Sequence, residues 1–273
     1  MNWSFSRLNG FYGCKRSWYI QYILNKYYAE KYQRNIKKID KFFGMFGSFA
    51  HKVFEKYNKG ELYLFELYDY CNNNYETEIP VSAPPNKYVD LYNSYRAKLL
   101  DYFLNFDGDS LNVIESEFEL KLEIILDDGE VINFNGFIDL ILQDENSDLI
   151  IKDYKSKSDF KSKEEYSEYL RQLLLYSLGV KKVYGKYPKK LIFDMFKINK
   201  VYEKEFDEND LKESITWMTK TISEIRKEEK FEKRCENPNS DFFCRYVCSF
   251  GTEVCNQVEN DECVELEEVI DNR

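Results

Sequence analysis

Leu149-Ile150-Ile151-Lys152-Asp153-Tyr154-Lys155-Ser156 decides how this chain is read. Apolar and β-branched residues run up to a polar end, which predicts a strand. Successive side chains alternate across a strand, so Asp153 and Lys155 leave the same face. A carboxylate beside an ammonium can hold a hard divalent cation and polarise a phosphate together. Fourteen residues before Asp153 stands Asp139, which closes Gly136-Phe137-Ile138-Asp139.

Working outward, residues 113–126 and 131–143 alternate like two more strands, joined by the hairpin-type turn Asp127-Asp128-Gly129. In the second of them Ile132, Phe134, Ile138, Leu140 and Leu142 share one face, and Asp139 falls on the other beside Phe137 and Ile141. A carboxylate in mid-strand among apolar neighbours is costly to bury unless something pairs with it. Downstream, the pattern predicts a helix over 164–184, a strand over 191–198 and an amphipathic helix over 208–229. Upstream, apolar and aromatic spacings near three and four predict helices over 11–28, 47–75 and 87–106, the last two separated by the break at 80–85. The fold class is therefore α/β, a mixed central sheet flanked by helices, with N-terminal helices and a Cys-rich C-terminal tail. A single domain is expected over 1–258, with a helical part at about 11–106, an α/β core at about 112–198 and a C-terminal helix and cysteine region at about 207–258. An acidic tail occupies 259–273.

The 273 residues, 43% hydrophobic with 11 Gly and 5 Pro, suffice for a full core. No apolar run approaches the roughly 18 to 20 residues of a membrane span. The opening Met1-Asn2-Trp3-Ser4-Phe5-Ser6-Arg7 lacks a basic region followed by an apolar stretch, so the expectation is a cytoplasmic chain or an intracellular viral protein. A formal net charge of −10 argues against a polyanionic partner. Yet Lys and Arg recur over 152–163 and 181–190 while acids crowd 207–210 and 259–271, so a basic stripe can coexist with acidic flanks. Of seven cysteines, Cys14 stands alone, Cys71 reads as a packed residue in a helix, and five lie between Cys235 and Cys263. In an intracellular chain such clustering points to metal or cluster ligation rather than disulfides.

Several further residues fit around the central strand. His51, the only histidine, lies in Gly47-Ser48-Phe49-Ala50-His51 on an expected helix. Gln172 and Tyr176 are four apart and share a helix face. Two carboxylates and an imidazole suit Mn²⁺ or Mg²⁺, with water in the remaining positions. Such an ion would acidify a bound water and orient a scissile phosphate, while Lys155 would neutralise charge on the phosphoryl oxygens or position the water. A lone helical histidine is more often structural, and Asp-x-Lys occurs by chance, so order and spacing carry the weight.

That order resembles the PD-(D/E)xK nuclease superfamily, and within it the RecB-like branch that includes the iron–sulfur exonucleases of CRISPR adaptation and AddB-type helicase–nuclease subunits. The branch presents a helical histidine, a Gly-x-x-Asp strand, an Asp/Glu-x-Lys strand and a Gln-x-x-x-Tyr helix; here these are His51, Gly136 to Asp139, Asp153-Tyr154-Lys155, and Gln172 to Tyr176. The resemblance, from about Ser4 to Cys255, implies a restriction-endonuclease-like core. It implies that His51, Asp139, Asp153 and the Tyr154 carbonyl bind Mn²⁺ or Mg²⁺, that Lys155, Asp153 and Asp139 are catalytic, and that Gln172 and Tyr176 bind or orient DNA. The activity implied is an exonuclease on single-stranded DNA ends, with a helicase or a CRISPR integrase subunit as a partner.

The cysteines extend the likeness. Trp3 to Leu8 and Tyr12-Gly13-Cys14 resemble the family's opening Ser-x-Ser motif and first cluster cysteine, and Cys244, Cys248 and Cys255 its C-terminal triplet. The resemblance implies a structural 4Fe–4S cluster on Cys14, Cys244, Cys248 and Cys255. The spacing departs from the family's Cys-x₂-Cys-x₅-Cys, being x₃ and then x₆, and Lys15 replaces a proline after the first cysteine. Cys235 or Cys263 as a substitute ligand, and zinc in a tetrahedral thiolate site, stay open. A rival from another class is a catalytically silent nuclease-fold subunit that binds DNA or assembles with a helicase or integrase.

Overall fold

A computed structural model describes the chain except for residues 34, 37, 109–110, 127–128, 238, 251–253 and 256–273. The turn residues Asp127 and Asp128, Cys263 and the expected acidic tail lie outside the described residues. In chain order the elements are β1 (Asn2–Trp3), α1 (Phe5–Gly13), α2 (Lys15–Tyr19), a π-helical turn (Ile20–Leu24), α3 (Asn25–Tyr32), α4 (Phe42–Asn58), α5 (Leu67–Glu78) and α6 (Leu91–Asn105). There follow β2 (Asn112–Ile125), β3 (Val131–Gln143), β4 (Leu149–Tyr154), α7 (Lys163–Tyr184), β5 (Lys190–Met195), β6 (Lys200–Glu205), α8 (Glu208–Lys227) and α9 (Phe242–Tyr246). Two compact units result, one of Asn2 with Met45–Trp217, the other of Met1, Trp3–Gly44 and Met218–Arg273.

The first unit is built on a mixed sheet of order β1-β3-β4-β5-β6, with β2 paired to β3 off that path. β2, β3 and β4 form an antiparallel meander, in which Leu140 stands opposite Lys152. β4 and β5 run parallel, with Asp153 opposite Phe193, and α7 makes the crossover that a parallel pair requires. β4 is buried along its whole length, which is why its sequence is a continuous apolar run rather than an alternation. On β3 Ile132, Phe134, Ile138, Leu140 and Leu142 are buried and Phe137 is exposed, but Ile141 on the other face is buried too, so the alternation is lost over 140–142. The ring of Tyr154 stacks on Phe54 of α4 at 3.7 Å between centroids, so helix and strand share one aromatic core.

α7 begins where Ser162 accepts a hydrogen bond from the Glu165 N–H at 3.2 Å. It carries Glu164 and Glu165 in its first turn, Lys181 and Lys182 in its last, and ends on Gly185 at φ 76°. Three expectations are corrected. The helix expected over 11–28 is broken at Cys14, whose extended backbone separates α1 from α2. The helix expected over 47–75 is two helices, because the chain turns at Gly60, at φ 73°, after α4. The strand expected over 191–198 stops at Met195, gives way to a 3₁₀ turn (Phe196–Ile198), and reverses at Asn199, at φ 49°. The returning β6 escaped the sequence reading because it is a largely polar edge strand, Lys-Val-Tyr-Glu-Lys-Glu, without an apolar alternation.

In the second unit Ser4 caps α1 by accepting the Arg7 N–H at 3.2 Å. Trp18 donates its indole N–H to the Arg7 carbonyl at 2.7 Å and stacks on Phe231 at 5.8 Å between centroids. The Tyr12 hydroxyl donates to Glu224 at 2.7 Å, and the Arg16 N–H to the Glu232 carbonyl at 3.1 Å. Residues early in the chain thus pack with residues beyond 218 around one aromatic core.

Candidate active site

Each expected site residue of the sheet unit has a definite mount. α4 carries His51, β3 carries Asp139, β4 ends on Asp153 and Tyr154, and α7 presents Gln172 and Tyr176. Lys155 lies just past β4, yet its N–H donates to the Asp194 carbonyl at 2.8 Å, so the ladder with β5 continues through it. That bond fixes the direction in which Lys155 leaves the sheet, on the same face as Asp153.

The Tyr154 N–H donates to Asp139 Oδ2 at 2.8 Å, and His51 Nδ1 stands 3.4 Å from the same oxygen. The sequence reading missed Glu117 of β2: one ligand atom each from His51, Glu117 and Asp139 lie within 4.8 Å of one another. Lys155 Nζ pairs with Asp153 Oδ2 at 2.7 Å and donates to Gln172 Oε1 at 2.9 Å. Gln172 Nε2 in turn donates to the Tyr176 hydroxyl at 3.3 Å.

Tyr176 is buried against Gly136, where an added Cβ would stand 2.7 Å from the Tyr176 ring. The glycine of the Gly-x-x-Asp strand is therefore the space into which the tyrosine of the Gln-x-x-x-Tyr helix fits. Tyr176 reaches the site through Gln172 and Lys155 and not from an exposed face.

The electrostatics of this cluster follow from its burial and its charges. Burial, and then Asp153, push the Asp139 carboxyl well above its usual range, against the pull of Lys155 and the Tyr154 N–H. Burial, and then Asp139, raise Glu117 to about 7. Burial pulls His51 down, with Asp153 opposing and Lys155 assisting. An imidazole held neutral beside carboxyls that repel one another is an N/O donor set that a hard divalent cation would satisfy. The residues present therefore fit such an ion.

The expected cluster cysteines all belong to the second unit. Cys14 Sγ accepts the Ser17 N–H at 3.5 Å, and Cys248 Sγ lies 3.6 Å from Ser17 Oγ. Burial raises the Cys255 thiol to about 11, Cys14 and Cys248 adding to the rise. Cys244 instead meets Cys235, Sγ to Sγ at 3.5 Å, and these two with Asp241 offer ligand atoms within 4.8 Å of one another. Cys235, expected only as a substitute, is thus one of the gathered thiols. Cys71 is buried in the sheet unit, as expected of a packed residue.

A mixed sheet with Gly-x-x-Asp and Asp-x-Lys on adjacent strands, an imidazole beside them and a Gln-x-x-x-Tyr crossover helix defines a nuclease class. The PD-(D/E)XK nuclease superfamily profile matches residues 2–256, and the chain belongs to that superfamily. No curated protein matches the chain significantly. Among solved structures, a candidate exonuclease from Eubacterium rectale is 10% identical, with 99% of this chain and 93% of that chain covered at a TM-score of 0.47. The protein SSO0001 is 19% identical over 42% of this chain and 52% of that one, about half its length, at a TM-score of 0.27. Among the described residues no helix is long and apolar enough to cross a membrane.

Proposed function

We propose that this chain is a metal-dependent deoxyribonuclease that hydrolyses phosphodiesters from single-stranded DNA ends. The observation that carries the reading is the Lys155 ammonium, held between Asp153 and Gln172 beside the His51–Glu117–Asp139 group. His51, Asp139, Asp153 and the Tyr154 carbonyl would hold Mn²⁺ or Mg²⁺, with Glu117 as an added ligand. Bound there, the ion supplies Lewis acidity to a water and to the phosphoryl oxygens.

The chain's own groups do the rest. The neutral His51 ring offers a lone pair without first losing a proton. Asp153 keeps the Lys155 ammonium at one place, and Gln172 fixes its direction from the other side. Lys155 is then aimed at charge that develops on the phosphoryl oxygens, and such preorganisation costs nothing at the moment of reaction. Tyr176 acts as a positioning residue by bracing Gln172.

In the second unit we propose a structural metal site on Cys14, Cys244, Cys248 and Cys255, with a 4Fe–4S cluster as the leading occupant and zinc as the alternative. Thiols suit either, and Cys235 stands close enough to Cys244 to take a ligand position. Residues 1–258 would act as one nuclease domain, and a helicase or integrase subunit would be a partner.

The test is digestion of end-labelled single- and double-stranded DNA with Mn²⁺ or Mg²⁺ by protein purified without oxygen. Wild type should degrade the label progressively. Lys155→Ala and Asp153→Ala should lower the rate by about 10²-fold or more, the scale of one preorganised electrostatic group. Metal-dependent binding of DNA with no cleavage by wild type would instead favour the silent binding subunit.

A further inference from the structure

Lys197 lies in the 3₁₀ turn that follows β5 and is 5% exposed. Its ammonium donates to the Tyr95 hydroxyl at 2.9 Å and to Ser158 Oγ at 2.7 Å, and it stands 4.3 Å from the Tyr95 ring centroid. An ammonium has three N–H donors. The third meets no acceptor among the described residues, and no carboxylate pairs with the group.

Other lysines of low exposure in this unit are treated differently. Lys152 pairs with Asp194, Lys155 with Asp153, and Lys157 with Glu165. The acid nearest Ser158 in sequence, Asp159, is taken up by the Tyr202 hydroxyl, Lys200 and the Phe160 N–H. Burial draws the Lys197 pKa down to about 8, with Lys98 and Lys157 adding to the fall. A buried cation without a counter-charge, among other cations, is costly unless something supplies one.

The position limits what that can be. β4 and β5 are parallel, with Tyr154 opposite Asp194, so Lys155 and Lys197 follow the same ends of adjoining strands. Ser158 is exposed and lies on the link between β4 and α7, three residues after Lys155. The ammonium therefore ends one hydroxyl from solvent, on the side where the strand end presents Lys155. Hydroxyls and an ammonium together are phosphate-binding chemistry.

We propose that Lys197, with Ser158 and Tyr95, forms a subsite for a DNA backbone phosphate other than the one being cut. The proposal rests on the nuclease reading above. Its work is to hold the strand in register, so it governs binding and not the chemical step.

The experiment is equilibrium binding of a fluorescent single-stranded oligonucleotide in EDTA, which prevents cleavage, across a series of salt concentrations. Lys197→Met preserves the side chain's shape and should remain folded by thermal melting. It should bind roughly ten-fold more weakly at low salt, the worth of a charged hydrogen bond. The slope of log affinity against log salt should become shallower by about 0.7, one phosphate contact on a single strand. Should that variant fail to fold, Ser158→Asp at the exposed position places an internal carboxylate on the ammonium and should give the same loss of slope. Wild-type slope in the folded variant overturns the subsite alone. Wild type that binds no DNA overturns the subsite and the nuclease reading together.

Discussion

Glu117 shows how much one backbone angle decides. It adopts φ 54°, a left-handed conformation that a strand residue rarely takes. It lies between the pairs Ser116↔Leu140 and Phe118↔Ile138, which places it across from Asp139, and the register of β2 shifts once between Val113 and Glu115. In sequence it is one of several glutamates on this strand, with Glu115, Glu119 and Glu123, and alternation alone does not single it out. Asp139 was legible because its neighbours are apolar, Asp153 because it ends an apolar run beside Lys155, and His51 because it is the only histidine; Glu117 was not, because the irregularity that turns it inward leaves no trace in composition. Its pKa yields a test. The folded value of about 7 exceeds the usual 4.5, so the native metal-free state binds the extra proton between those limits. Glu117's own contribution to the stability of metal-free protein should therefore fall as pH rises from about 4.5 to 7. Glu117→Gln should flatten that slope in denaturant titrations. It should also weaken Mn²⁺ binding, and lower the protons released on binding, when calorimetry is run in buffers of different ionisation enthalpy.

At the scale of elements, the site exists because α7 lies against β3 with almost no gap. Gly136 gives Tyr176 its place, Tyr176 meets Gln172, and Gln172 holds Lys155. Gly136→Ala would put a methyl group 2.7 Å from a buried ring, which must move. The expected cost is about 1–3 kcal/mol, as for other overpacked cores. Thermal melting should report that loss, and cleavage should fall further than stability because the Lys155 support shifts. A variant that melts early but cleaves normally would show that Tyr176 has no positioning role. This coupling was half legible. The Gly-x-x-Asp and Gln-x-x-x-Tyr spacings marked both elements, while their mutual fit is a tertiary contact that neither local pattern encodes. The same limit explains the break in the expected helix at 47–75. Its apolar spacing continues across Gly60, but the chain turns there and restarts at Leu67. Strand β6 was hidden for the opposite reason, since an exposed edge needs charge more than apolar alternation.

At the scale of the whole chain, residues far apart in sequence must be brought together and kept there. The second unit does this with Trp18 against Phe231 and with Cys14 and Cys248 both beside Ser17. Holding residue 14 near Cys248 closes a loop of more than 200 residues, an entropic cost that a metal bound by both ends would offset. The thiolate site would therefore act on stability rather than on the chemistry. Anaerobically purified protein should carry iron with absorbance near 400 nm, or zinc without it, and Cys14→Ser should lose most of the metal. Its melting temperature should fall by about 5 °C or more, because a few kcal/mol shifts a domain of this size by that amount. Asp153→Ala, in the other unit, should keep the same thiolate-bound metal content while lowering cleavage by about 10²-fold or more. Cys235→Ser decides the ligand set. Unchanged metal in that variant leaves Cys244 as the ligand and Cys235 as its neighbour, whereas loss equal to that of Cys14→Ser makes Cys235 a ligand in its own right. A Cys14→Ser protein with wild-type stability and no bound metal would remove the structural role altogether, because the aromatic core would then be holding the two ends unaided.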